Sequence, residues 1–80
     1  MAIEFRKSLA VFRDVVSVEE AEGLLEWLQK KPSAKVDLAS CVHLHPANLQ
    51  VLMAAGATVT AWPQEAALAG WIKSALAGRR

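Results

Sequence analysis

Apolar and polar residues alternate at the start of the chain, and the period then changes. Ile3 and Phe5 are apolar between charged Glu4 and Arg6, which predicts a half-buried strand over residues 2–6. Leu9, Val11 and Phe12 form a second short apolar run, with Lys7 and Ser8 as the turn of a hairpin. From Ser17 the period becomes helical. Ser17 and Glu20 have the S-x-x-E spacing of a capping box. Val18, Ala21, Leu24, Leu25 and Leu28 then mark one buried face, and Glu19, Glu22, Glu26, Gln29 and Lys30 the wet one. Pro32 is the expected stop.

Residues 35–39, Lys-Val-Asp-Leu-Ala, read as a central strand, followed by a loop over residues 40–44. Pro46 suits the first position of a helix and makes His45 its N-cap. Leu49, Val51 and Leu52 carry that helix to Ala55, and Gly56 ends it. The β-branched run from Ala57 to Trp62 predicts another strand. Pro63 opens a last helix, with Gln64 and Glu65 in its first turn, Leu68, Ile72, Ala75 and Leu76 on one stripe, and Gly78 at its end. The expected fold is therefore one α/β domain over residues 1–80, in the order β-β-α-β-α-β-α, with a mixed sheet covered by helices.

Composition narrows the function. With 54% hydrophobic residues in 80, the chain has enough apolar side chain for a thin core. The formal net charge of +1 offers no electrostatic case for nucleic acid or an anionic membrane. Arg79 and Arg80 read as a solvated tail. No apolar stretch reaches the ~20 residues of a bilayer span, and the first residues lack the apolar run of a signal peptide. Cys41 is the single cysteine, so an internal disulfide is impossible, which fits a reducing, cytoplasmic setting.

The segment Val36-Asp37-Leu38-Ala39-Ser40-Cys41-Val42-His43-Leu44-His45-Pro46-Ala47-Asn48-Leu49 resembles the core signature of STAS domains. These include the anti-sigma-factor antagonists and related domains on sulfate transporters and lipid-transport systems. In that family a strand ending in Asp-Leu-Ser leads through a short loop to Asp-Ser-Ser-Gly-Leu, which opens a helix. Here Asp37-Leu38-Ala39 matches the strand end, Leu44 the apolar position before the second motif, and Leu49 its final leucine. The similarity runs over roughly residues 2–77. It implies a STAS-like sheet and a non-enzymatic, protein-binding regulatory module of bacterial signal transduction. The departures are concentrated at the switch. The phosphorylatable serine falls on Pro46, the acid before it on His45, and the next two positions on Ala47 and Asn48. The family's last strand is missing from this sequence.

On that resemblance the partner-contacting surface is the tip of the second helix: Ser40, His43, His45, Pro46, Ala47 and Asn48. The implied partner is a regulatory kinase-like protein or a transporter complex, with a homodimer as another arrangement, and no cofactor or catalytic residue. Read without the resemblance, His45 and Asn48 satisfy amides at the helix start. A rival reading uses Cys41, His43 and His45. On an extended segment alternate residues face one way, so a C-x-H-x-H run would converge as a metal- or redox-responsive sensor. A fourth ligand and a standard paired spacing are lacking, and the plainer role of Cys41 is a small core residue. Trp27, Trp62 and Trp71 read as half-buried domain edges, or as the interface of a small oligomeric structural subunit. Glu19, Glu20, Glu22 and Glu26 read as a solvated face that would steer a basic partner.

Overall fold

The computed structural model describes residues 2–31 and 34–77. The chain forms β1 (Ile3–Phe5), β2 (Leu9–Val16), a 3-10 turn (Val18–Glu20), α1 (Ala21–Lys30), β3 (Lys35–Leu44), α2 (Pro46–Ala55), β4 (Thr58–Ala61) and α3 (Ala66–Ala77). The expected stops at Pro32 and Gly78, and the Arg79–Arg80 tail, lie outside the described residues. The strands make one mixed sheet in the order β1-β2-β3-β4. β1 is antiparallel to β2, and β2, β3 and β4 are parallel.

Each parallel step moves one place in the same direction across the sheet. Right-handed crossovers then set α1 and α2 on one face. The burial agrees: Leu24 and Leu28 of α1, Leu49 and Leu52 of α2, and Leu68, Ile72 and Leu76 of α3 share a single core with Phe12, Val16, Val36, Leu38 and Leu44 of the sheet. The domain thus has two layers, helices on sheet. Among the described residues no helix is long and apolar enough to cross a membrane.

The helices follow their local signals unequally. α2 spans the residues expected of it, from Pro46 to Ala55, and Gly56 closes it in the left-handed region at φ 65°. The Ser17–Glu20 capping box does not form. The Glu20 amide instead bonds the Ser17 carbonyl at 3.1 Å in the 3-10 turn, and neither side chain makes a cap bond. Leu25, expected on the buried face of α1, is exposed. α3 begins at Ala66 and not at Pro63, because the Glu65 carboxylate accepts the Leu68 amide at 2.8 Å and so caps the helix.

The largest departure is at the far end of the sheet. β2 continues to Val16 and β3 to Leu44, so the expected loop over residues 40–44 is strand. Between Val11 and Arg13 β2 advances two residues while β3 advances three, from Asp37 to Ser40. Between Asp14 and Val15 β2 advances one while β3 advances two, from Cys41 to His43. These bulges make the inward residues of β3 Val36, Leu38, Cys41 and Leu44, spaced two, then three, then three. Asp37 supports the first bulge, its Oδ1 accepting the Ala39 amide at 2.9 Å. Asp14 marks the second with φ 51°, a conformation aspartate tolerates better than most residues.

Candidate functional site

The carboxyl ends of β2 and β3 and the first turn of α2 meet at one end of the sheet. The His45 amide donates to the Val16 carbonyl at 2.9 Å and carries the chain from β3 into α2. His45 is extended, at φ −64° and ψ 140°, and its Nδ1 accepts the Ala47 amide at 3.0 Å. It is the N-cap that its place before Pro46 suggests. Replacing a side-chain cap with alanine costs about 1 kcal/mol. His45→Ala is therefore expected to lower the melting temperature by roughly 4–8 °C. His45→Asn, which restores an acceptor, is expected to recover most of that loss. Equal melting of wild type and His45→Ala would show that the cap contributes nothing.

Asn48 has a different role from the one expected. It is fully buried, and its Nδ2 donates to the carbonyls of Ser17 at 2.7 Å and Val16 at 3.4 Å. It therefore caps no amide, and its side chain is closed off from the surface. It joins the start of α2 to the end of β2, where the chain turns away from the sheet. Of the six expected contact residues, Ser40, His43 and Pro46 are exposed and His45 and Ala47 half-buried. Asn48 leaves that set.

Cys41, His43 and His45 do not converge. The bulge between Cys41 and His43 breaks the alternation on which their convergence depends. Cys41 faces the core at 3% exposure while His43 faces solvent. The Cys41 thiol donates to the His43 carbonyl at 3.4 Å. Among the described residues no group of three His, Cys, Asp or Glu side chains is placed to hold a metal.

Burial pushes the Cys41 thiol pKa up, against a smaller pull downward from the His43 carbonyl bond. A thiol with a folded pKa above its unfolded value stabilises the fold fully below the unfolded pKa of about 8.5 and loses that contribution as pH rises beyond it. Stability is expected to fall on the alkaline side for this reason, and Cys41→Ala is expected to flatten that fall. Native protein is expected to react with an aromatic disulfide reagent far more slowly than denaturant-unfolded protein. Matching rates at neutral pH would place the thiol at the surface.

Two residues join the surface that sequence reading passed over. Val15 and Val42 are 56% and 65% exposed, and Val15 pairs directly with His43. Together they leave apolar side chain open beside His43 at this end of the sheet. The available signal was a β-branched residue on either strand, hidden because residues 40–44 read as loop. A shallow groove of about 270 Å³ adjoins Val42, between Ala39–Val42 and the Gln64–Glu65 turn. No protein-family model matches the chain, and neither a curated protein nor a solved structure matches it significantly.

Proposed function

We propose that the chain is a non-enzymatic interaction module of the STAS type that binds a partner protein through the end of β3 and the start of α2. The observation that supports this most is the open pair Val15 and Val42 on either side of His43, next to exposed Pro46 and Ser40. Apolar side chains would supply contact area, and His43 and Ser40 would supply hydrogen bonds at its edge. Pro46 stands where the resembled family carries its phosphorylatable serine, so binding here would not be switched by phosphate at that position. The one thiol is turned into the core, which suits a binding surface better than a nucleophilic centre. The regulatory kinase-like protein or transporter complex named by the resemblance remains the proposed partner class.

The test is retention of a partner from source-cell extract on immobilised protein, comparing wild type with Pro46→Arg and Val42→Asp. Both positions are exposed, so melting temperatures are expected to stay within a few degrees of wild type. A partner held by wild type and lost by both folded variants supports this surface. A partner held equally by all three moves the binding site elsewhere on the domain.

A further inference from the structure

The two edges of the sheet are treated differently. β1 has three residues, and its Glu4 is held by ion pairs to Arg6 at 2.9 Å and Arg13 at 2.7 Å. The Arg6 guanidinium, with help from Arg13, keeps the Glu4 carboxyl below the usual carboxylate range. A short, charged strand is a poor template for another chain. β4 is nearly as short, at four residues, and its register with β3 skips Thr60, but it lacks the charge that guards β1. Its residues Thr58-Val59-Thr60-Ala61 are uncharged, and two of its side chains are exposed. It has one neighbour in the sheet, β3, so among the described residues its outer N–H and C=O groups have no strand beside them.

A groove of about 360 Å³ runs between that edge and α3. Val59, Trp62 and Leu76 give it apolar walls, and Lys73 is the one charged residue lining it. The Lys73 ammonium lies 5.2 Å from the centre of the Trp62 ring and, among the described residues, makes no ion pair. The cation is thus held over the groove by the aromatic face, with its charge unmatched.

We propose that the β4 edge and this groove take an extended, acidic segment of a partner polypeptide as a fifth strand. The backbone groups of β4 supply the ladder, and alternate side chains of the added strand face the helix layer. One apolar side chain of the segment fills the space between Trp62 and Leu76, and a carboxylate meets Lys73. The charge selects the occupant. A second copy brings a second Lys73 and no carboxylate from β4 or its groove, so self-pairing leaves both cations unmatched. This surface is separate from the β3–α2 end, and the inference stands whether or not that end binds a partner.

The test titrates the folded chain with two capped pentapeptides, Thr-Val-Thr-Glu-Thr and Thr-Val-Thr-Lys-Thr, whose second and fourth side chains share one face of a strand, followed by amide and indole NMR shifts. The acidic peptide is expected to move the amides of Thr58–Ala61 and the Trp62 indole, and to bind about threefold more tightly than the basic one, as one exposed ion pair allows. Lys73→Glu is expected to reverse the order while leaving the fold intact. Equal binding of both peptides, shifts confined to other residues, or no shift at millimolar peptide would overturn the proposal. Concentration-dependent shifts of the same amides without peptide, with a dimer mass by sedimentation, would give the edge to a second copy and overturn it too.

Discussion

Phe12→Ala is expected to strip the domain of a large share of its stability, read as a marked fall in its urea midpoint. Phe12 is fully buried on β2, pairs with Ile3 of β1, and shares the core with residues of all three helices. Truncating a buried phenylalanine costs about 3–5 kcal/mol, the lost transfer energy plus the cavity left behind. A chain of this length has a total stability of roughly 4–12 kcal/mol, so the loss takes a large share of it. The site is also poorly placed to collapse, because β2 is pinned by ladders on both sides. Urea unfolding followed by far-UV circular dichroism measures the effect. Phe12→Leu, which keeps most of the volume, is expected to cost less than about 1.5 kcal/mol. A loss under 1 kcal/mol for Phe12→Ala would mean that the core is not organised around this side chain.

Phe12 shows what could be read from the sequence, since its apolar run already marks a strand. The helices with clear periodicity were legible for the same reason. Pro46 and Gly56 bound α2 because each acts through its own backbone geometry, which needs no distant partner. The α/β class, with a mixed four-stranded sheet and three helices, followed from the alternation of strand-like and helix-like periods. What was not legible depends on departures from period. The two bulges in β3 turn its inward spacing from two to three, so Ser40 to Leu44 lose the strand pattern although all but Val42 pair with β2. The same bulges undo the convergence of Cys41 with His43. The Ser17–Glu20 spacing fits a capping box, yet a 3-10 turn meets the need with backbone atoms alone. The open Val15 and Val42 were hidden with the strand ends that carry them. The role of Asn48 lies beyond any local pattern, because its partners are 31 and 32 residues away.

That long reach makes Asn48→Asp the second large expectation. The Asn48 amide nitrogen donates to two carbonyl oxygens at full burial, and its Oδ1 meets no donor among the described residues. An ionised carboxylate there presents only acceptors to the carbonyls of Val16 and Ser17, with no water to screen it. An uncompensated buried charge costs about 3–5 kcal/mol, so the variant is expected to lose a large share of the domain's stability at neutral pH. The pH dependence separates this cause from simple loss of shape. Burial and facing carbonyls raise the folded pKa of the introduced acid above its unfolded value of about 3.9. The charge penalty is then absent below that value and grows as pH rises through and beyond it. In its protonated form the acid also donates one hydrogen bond, toward the nearer Ser17 carbonyl. The variant is therefore expected to gain stability relative to wild type as pH falls from 7 toward 4, read from paired urea titrations. Asn48→Ala, which loses the donor without adding charge, is expected to cost about 1–3 kcal/mol with no such pH dependence of its own. If the two variants lose the same stability at every pH, the buried amide is not the tie between β2 and α2.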